Sequence, residues 1–125
     1  MGLRNARLNF RQLDYGHLME NVIYNELIRR GYLVDVGAVE VRTKDGRDYL
    51  EIDFIVNNLD KKIYIQSAYR IDSEKKNDSE TNSLRQINNS FKKVVMRNDI
   101  ASSFYDENGI YHCKVIEFLL NRTNL

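Results

Sequence analysis

Two apolar segments decide the fold of this chain, LEIDFIV at residues 50–56 and KIYIQSA at residues 62–68. Residues 57–60 (NNLD) supply a turn between them, so the pattern predicts two antiparallel strands, over Tyr49–Val56 and Lys62–Arg70. Side chains alternate between the faces of a strand, which places Leu50, Ile52, Phe54 and Val56 on one face of the first strand and Glu51, Asp53 and Ile55 on the other. A strand covered on both faces should be apolar on both, so the two acidic residues need an explanation.

The residues before this hairpin predict a further strand and a helix. Residues 32–42 contain four valines around Gly37, which predicts a strand that is bulged at the glycine. An Asp-Gly pair then forms a tight turn. Over Tyr15–Arg30 the apolar residues recur at helical spacing, with Asp14 expected as the N-cap and Gly31 as the C-cap. A helix therefore precedes a three-stranded antiparallel meander.

The residues after the hairpin predict a second helix and two short strands. Residues 71–82 are polar and highly charged, which is typical of an exposed loop. The elements expected next are a helix over Glu80–Phe91, a buried strand at Val94–Met96, a strand over Ile110–Val115 and a short helix over Ile116–Leu120. Leu84, Ile87 and Phe91 form the buried side of the first of these helices. The order αβββαβ(β)α predicts a mixed α/β sandwich with a central sheet flanked by helices.

The composition is that of one globular domain. With 125 residues, 42% hydrophobic and 30% charged, the chain is long enough for one core and lacks the bias of a disordered segment. The net charge of +1 leaves room only for a local basic surface. Cys113 is the single cysteine, which excludes an internal disulfide and a cysteine-based zinc site. No apolar run is long enough to span a membrane and no signal peptide is visible, so a cytoplasmic location is expected.

Three side chains are expected to converge into a metal site. The hairpin predicts Asp53 and Gln66 on one face of adjacent strands, and Glu20 lies at the edge of the helix's apolar stripe, where it can point toward the sheet. Carboxylates and a further oxygen ligand are what Mg²⁺ binds, and the waters it keeps leave room for a phosphate. The plain alternative is that Glu20 faces solvent and that Asp53 is an inward charge of the kind that protects edge strands from aggregation.

The spacing of these residues resembles that of a nuclease superfamily. Gly16 lies four residues before Glu20 and Gly31 eleven residues after it, while Asp53 and Gln66 are thirteen residues apart across one hairpin. This arrangement is similar to that of the PD-(D/E)XK nucleases, in particular the archaeal Holliday junction resolvases. In those enzymes a helix Glu, a strand Asp and a Glu-x-Lys on the next strand bind metal and activate water.

A second resemblance covers nearly the whole chain. Five blocks follow one another as they do in the domain of unknown function that ends many prokaryotic AAA+-type ATPases. The blocks are GLRN at residues 2–5, GHLMEN at 16–21, ELIRRGY at 26–32, EIDFI at 51–55 and IYIQ at 63–66. The resemblance implies an N-terminal P-loop ATPase module as the partner, residues 1–13 as an inter-domain segment, and residues 1–125 as one nuclease-like domain. Because the chain has no Gly-x-x-x-x-Gly-Lys-Ser/Thr pattern, no nucleotide site of its own is expected.

The resemblance also implies a restriction-endonuclease-like αβββαβ fold, DNA as a partner, and Mg²⁺ or Mn²⁺ bound by Glu20, Asp53, Gln66 and Glu51. Two departures count against a standard catalytic site. Gln66 stands where an active nuclease has an acid, and Ala68 stands where it has a lysine that orients water or stabilises the phosphate. Glu51 is the expected replacement for the lost carboxylate, and Arg70 for the lost cation.

Two functions therefore stay open: a metal-dependent endonuclease acting on nucleic acid, and a non-catalytic docking or regulatory module for the ATPase or a partner protein. Of the two histidines, His17 is the better acid–base candidate and His112 is expected to be structural. Tyr64 and Tyr69 flank Gln66 and are candidates to stack on bases. The paired lysines at positions 61–62, 75–76 and 92–93 are typical of solvated surface, and those at 75–76 in the loop are candidates to contact phosphate.

Overall fold

The computed structural model describes residues 2–44, 46–69, 71, 81–87, 90–120 and 125. The elements in these ranges are α1 (Gly2–Arg29), β1 (Leu33–Thr43), β2 (Gly46–Asn58), β3 (Lys61–Ala68), α2 (residues 81–86), β4 (Lys92–Arg97), β5 (Phe104–Tyr105), β6 (Tyr111–Lys114) and α3 (Val115–Leu119). The strands form one mixed sheet in the order β1-β2-β3-β4-β6-β5. A mixed α/β architecture with a central sheet and helices is thus confirmed.

Helix α1 begins well before its predicted start. Residues 2–13, expected as an inter-domain segment, are helical from Gly2 onward, and Asp14 lies inside the helix instead of capping it. This stretch contains no proline and consists mostly of good helix formers, so nothing in it stops the helix. The predicted N-cap is therefore wrong.

The predicted C-cap of α1 is confirmed. Gly31 adopts a φ angle of 87°, and its N–H donates to the carbonyl of Ile28 at 2.9 Å. The N–H of Tyr32 donates to the carbonyl of Leu27 at 3.2 Å. These two bonds form a Schellman motif, in which the left-handed residue is usually glycine because it has no Cβ.

The predicted meander is also confirmed, since β1–β2 and β2–β3 are antiparallel neighbours. The sheet becomes mixed beyond it, because β4 runs parallel to both β3 and β6. The edge strand β5 pairs antiparallel with β6. With only two residues, β5 is too short to leave a periodic pattern in the sequence.

A bulge in β2 interrupts the first hairpin opposite Val36. Between the pairs Asp35↔Ile55 and Gly37↔Ile52, β1 advances by two residues and β2 by three. The extra residue therefore belongs to β2, with Asp53 and Phe54 opposite one residue of β1. The sequence predicted an irregularity at the glycine of β1, and the structure places it there but assigns the extra residue to the partner strand.

The bulge reverses the side-chain alternation along β2. Leu50 and Ile52 pack on the same side of the sheet as Ile55, whereas Phe54 and Val56 pack on the opposite side. The predicted single face containing both Ile52 and Phe54 is therefore wrong. Simple alternation fails because one extra residue shifts the pleat by one position.

Separate cores cover the two faces of the sheet. On one face α1 and α3 bury Met19, Ile23, Leu27, Phe54, Val56, Ile65, Met96 and Phe118. On the other face, Leu84 of α2 and Ile87, which directly follows α2, pack against the sheet. The buried residues of this second core are Ile52, Tyr64, Ala68, Leu84, Ile87, Val95 and Ile110. β3 contributes to both cores through alternate residues, as expected of a strand with both faces covered.

The second helix is shorter than predicted. Leu84 and Ile87 are buried as expected, but α2 ends at residue 86 and Phe91 lies just before β4 with 39% of its surface exposed. The predicted place of Phe91 on the buried side of the helix is therefore wrong. Most of the charged segment predicted as a loop, residues 72–80, falls outside the described residues. No helix in the described ranges is both long and apolar enough to cross a membrane.

Candidate functional site

The candidate site lies where β2 and β3 stop pairing. Their ladder runs from Asn58↔Lys61 to Phe54↔Ile65 and goes no further. Beyond that point β2 continues beside β1 and β3 continues beside β4. Asp53 and Gln66 are the first residues past the last pair, and the β2 bulge lies at the same place. The structure thus brings these two predicted residues together at an opening in the sheet.

The side chain of Gln66 bridges this opening. Its Oε1 accepts the backbone N–H of Asp53 at 2.9 Å, and its Nε2 donates to the carbonyl of Glu51 at 3.2 Å. The residue is buried, with 8% of its surface exposed. The amide therefore satisfies two backbone groups of β2 that β3 no longer reaches, and both of its ends are engaged.

The carboxylate of Asp53 closes the opening from the other strand. Its Oδ2 accepts the backbone N–H of Ser67 at 2.8 Å. Burial raises the pKa of the Asp53 carboxyl, the bond from Ser67 acts in the opposite direction, and the negative charge of Glu51 raises it again. The net result is a pKa above the ordinary value of 3.8. Asp53 and Gln66 thus meet through backbone bonds of each other's strands and not as two side chains on one face.

Glu20 reaches the site from α1. Burial raises the pKa of its carboxyl, and the negative charge of Asp53 raises it further, while nearby His17 acts in the opposite direction. The Nδ1 of His17 lies 3.8 Å from Glu20 Oε2, and the Glu20 side chain remains 41% exposed. The charge of the strand carboxylate thus acts on the helix carboxylate.

A shallow cavity of about 320 Å³ adjoins the two acidic residues of β2. It is lined by Glu51, Ile52 and Asp53 together with Val36 and Gly37 of β1. Glu51 is exposed to solvent, and Asp53 is partly buried. Acidic side chains at such a cavity disfavour an anionic ligand unless a cation comes with it.

The described residues fit only part of the ligand set implied by the resemblance. Glu20, Asp53 and Glu51 offer carboxylates, but both ends of the Gln66 amide are bound to β2. Ala68 is buried in the core. In the part of the chain that the structure describes, no three His, Cys, Asp or Glu side chains are close enough to hold a metal ion. Arg70 and the lysines at positions 75–76 lie outside the described residues.

The structure contains an aromatic pair between α1 and the end of β3 that the spacing of the residues did not indicate. Tyr15 of α1 and Tyr69, just beyond β3, stack with ring centroids 5.7 Å apart and planes at 18°. Tyr64, by contrast, is buried with 5% of its surface exposed, so the prediction that it stacks on bases is wrong. Alternation in β3 could have separated the two, because Tyr64 and Tyr69 are an odd number of residues apart.

His112 belongs to a separate buried network on β6, two strands away from Gln66. Its Nε2 lies 2.8 Å from Asp106 Oδ2, and its Nδ1 lies 3.1 Å from Arg97 Nη1. A guanidinium only donates, so Nδ1 accepts and Nε2 carries the proton that is donated to Asp106. The ring of Phe104 stacks on the imidazole at 4.7 Å. Both ring nitrogens are thus engaged in holding the fold together.

Comparison with known proteins gives two matches. Residues 15–116 match the family described as "Domain of unknown function (DUF4143)". The chain is also 33% identical over 122 residues to an uncharacterized protein of Haemophilus influenzae. That similarity covers 95% of this chain and 27% of the relative, so the chain spans about a quarter of the relative's length.

Domains of this family typically lie at the C-terminus of AAA-type ATPases. The matched stretch runs from α1 into α3 and includes Glu20, Asp53 and Gln66. The sequence resemblance to a domain that ends AAA-type ATPases is thereby supported at the level of the family. The chain belongs to the DUF4143 family.

Proposed function

We propose that this chain is a non-cleaving, nuclease-like C-terminal domain that serves as a docking module of a larger AAA-type ATPase. Its family typically occupies that position, and the Haemophilus influenzae relative has about three-quarters of its length outside the similar region. Within the larger protein the ATPase module would perform the energy-consuming step, and this domain would hold a partner or the ATPase itself.

The order and direction of the strands support a nuclease-like core. A helix, an antiparallel meander, a second helix and a strand parallel to the third strand follow one another as α1, β1 to β3, α2 and β4. The separation of β2 from β3 at Asp53 would place a nuclease's reacting groups at the sheet opening. These two features support a core like that of the PD-(D/E)XK nucleases.

The bonding of Gln66 is the observation that carries the non-cleaving role. A catalytic carboxylate at position 66 would have to face a cation and the substrate phosphate. Here the amide faces the backbone and satisfies the N–H of Asp53 and the carbonyl of Glu51. A glutamate could accept the first bond but, when ionised, could not donate the second. Gln66 therefore suits a closed sheet better than an open metal site.

The outer edge of the sheet supports the docking role. β1 has β2 as its sheet neighbour and occupies the end of the strand order. Two of its apolar side chains are strongly exposed, Leu33 at 74% and Val36 at 71%. An edge strand with exposed apolar residues is where another segment adds by backbone pairing. The remainder of the longer protein is the occupant that we propose for this edge.

Cleavage and cation binding test the first half of the proposal. The chain should leave branched, single-stranded and double-stranded DNA intact in Mg²⁺ or Mn²⁺, and neither ion should raise its unfolding temperature more than that of the Asp53→Asn variant. A restriction endonuclease serves as the positive control. Mn²⁺-dependent cleavage that disappears in Asp53→Asn would show that the chain is a metal-dependent endonuclease and would refute this proposal.

Hydrogen exchange tests the second half. The amides of β1 should exchange more slowly in the full-length parent protein than in this domain alone, because a docked segment protects them. An Asp substitution at Val36 should abolish the difference, whereas the same substitution at the exposed turn residue Leu59 should leave it unchanged. Identical exchange of β1 in the two proteins would rule out docking at this edge.

A further inference from the structure

A second cavity, of about 420 Å³, lies at the opposite end of β3 from Gln66. It is formed by the residues that begin β3 and by those that begin the parallel strand β4. Three of its lining residues are lysines, Lys61, Lys62 and Lys92, and a single aspartate, Asp60, opposes them. The lining therefore carries an excess of positive charge in a chain whose net charge is only +1.

Strand pairing explains why the lysines meet. Lys61 and Lys62 are adjacent in the sequence. Lys92 lies thirty positions after Lys62 but pairs with Ile63, the residue next to Lys62, in the β3–β4 ladder. Lys92 is also held in place, because its Nζ lies 4.8 Å from the ring centroid of Tyr111. Three lysines from two of the pairs that are typical of solvated surface, Lys61, Lys62 and Lys92, thus line one concave site.

An aromatic residue forms part of the same wall. Phe91 lines the cavity with 39% of its surface exposed, and Ile63 adds a further apolar contact. The Nζ of Lys93 donates to the carbonyl of Phe91 at 3.1 Å, which fixes the turn that presents the ring. The cavity therefore combines ammonium groups with an accessible aromatic ring.

We propose that this cavity binds a nucleoside phosphate. The lysine ammonium groups would neutralise the phosphate, and the Phe91 ring would stack on the base, as aromatic residues do in proteins that bind single-stranded nucleic acid. The volume lies within the range of about 300–1,000 Å³ that is usual for small-molecule sites. A bare inorganic anion would leave the aromatic wall unused. The missing P-loop pattern excludes a Walker-type site but does not bear on this one.

The ligand has two sources that share this chemistry, a free nucleotide and the end of a nucleic-acid strand. Titration calorimetry with AMP, with a single-stranded deoxyadenylate decamer and with inorganic phosphate separates them. Binding of AMP alone identifies a free nucleotide, and tighter binding of the decamer identifies a strand. Both outcomes support the proposal, since phosphate alone should bind more weakly than either.

Two variants and a control locate the binding. The double charge reversal K61E/K62E should weaken binding of AMP or the decamer by about tenfold or more. F91A should weaken it severalfold and leave the weak binding of phosphate unchanged. The control K44E/R47E makes the same change in net charge at the far end of β2 and should have less than about a twofold effect. Unfolding temperatures establish that each variant is folded.

Three results would overturn the inference. The first is no binding of AMP or the decamer at millimolar concentration. The second is an equal loss of binding in K61E/K62E and in the control, which would indicate a diffuse charge effect. The third is an unchanged affinity in F91A. None of these results bears on the cleavage experiments at Asp53, so this inference and the proposed function fail separately.

Discussion

At position 66 an amide matters because it donates and accepts at the same time. The two β2 groups that it contacts, the N–H of Asp53 and the carbonyl of Glu51, belong to backbone that no longer pairs with β3. Buried backbone groups left without a partner each cost about 1–3 kcal/mol. Gln66 therefore stabilises the separation of β2 from β3.

Removing this amide should destabilise the domain. We expect Gln66→Ala to lower the free energy of unfolding in urea by about 2 kcal/mol, because it leaves two backbone groups unpaired. Gln86→Ala, at an exposed position of α2, is the matched control and should change it by less than about 0.5 kcal/mol. Equal effects of the two substitutions would show that the bonds of Gln66 contribute little to stability.

Asp53 should make stability depend on pH in the direction opposite to most carboxylates. Its pKa is raised in the folded protein, so its contribution is fully present when the carboxyl is protonated and is lost as the pH rises through the folded value. Asn keeps an oxygen for the Ser67 N–H and has no charge to bury. Asp53→Asn should therefore be more stable than the wild type at neutral pH.

The advantage of Asp53→Asn should shrink as the pH falls through the raised folded pKa of Asp53 toward the ordinary aspartate value of 3.8, and should change no further below it. Urea unfolding at a series of pH values measures this difference directly. Glu20→Gln should change stability in the same direction but less, because Glu20 is more exposed to solvent. A difference between Asp53→Asn and wild type that grows on acidification would contradict the burial argument.

The meeting of Asp53 and Gln66 could be predicted, but their bonding could not. Hairpin geometry was enough to bring the two residues together, although not as two side chains on one face. The contacts of Gln66 depend on where two strands separate, and that depends on a bulge that no periodicity reveals. One feature of the sequence could have indicated this bonding. Gln66, whose amide both donates and accepts hydrogen bonds, stands where an acidic residue was expected.

At the scale of elements, α1 shows how local signals compete. The glycine at its C-terminus ended the helix as predicted, because a left-handed residue cannot continue it. Asp14 did not begin it, because the residues before Asp14 favour a helix as well. A capping residue marks a helix start only where the preceding chain has a reason to leave the helix.

Replacing Gly16, within α1, and Gly31, just after it, with alanine should change the stability of the domain in opposite directions. Gly16 lies within α1 and a Cβ there would meet nothing within 4 Å, so Gly16→Ala should stabilise the domain by about 0.4–1 kcal/mol. Gly31→Ala should destabilise it by about 1–2 kcal/mol, because φ at that position is 87°. Thermal unfolding of both variants tests the pair, and the same sign for both would refute the capping argument.

The strands were predicted best where their apolar residues form a clear pattern. The meander and the strand at Val94–Met96 were recognisable because their apolar residues are continuous or alternate. The two-residue strand β5 was not, since its place depends on pairing with β6. The end of α2 was misplaced because the apolar Phe91 continues the helical spacing and yet lies outside the helix.

At the scale of the whole molecule, a polar network holds together the part of the sheet beyond β3. Asp99 accepts from Arg97 and from the N–H of Ile71, and Arg97 continues to His112. His112 in turn meets Asp106, which caps the turn before β6. The network joins β4, β6 and the segment after β3 into one unit.

The stabilising contribution of this network should be lost in acid. Burial alone would raise the pKa of Asp106, but the bonds from His112 and from the N–H groups of Ile110 and Asn108 outweigh it and hold the pKa below 3.8. A lowered pKa contributes stability that is present above the unfolded value and is lost as the pH falls through the folded one. The wild type should therefore lose stability from about pH 5 downward.

Asp106→Asn should be less stable than the wild type at neutral pH and should show a flatter loss in acid, as measured by urea unfolding over the same pH range. Glu107→Gln, at the exposed neighbouring position, is the control and should follow the wild-type curve. A parallel loss of stability in Asp106→Asn and wild type would mean that other carboxylates govern acid unfolding.

The bulge in β2 also limits how the length of this domain can vary. Between Ile52 and Ile55, β2 carries one residue more than β1. The residues of β2 before the bulge therefore alternate between the two faces of the sheet in the opposite order to those after it. Deleting one residue there would turn Leu50 and Ile52 away from the α2 core and toward the helix α1. Relatives that keep this core should therefore keep the extra residue of β2, and differences in the length of the β1–β2 hairpin should fall toward its turn, where they leave the facing of Leu50 and Ile52 unchanged.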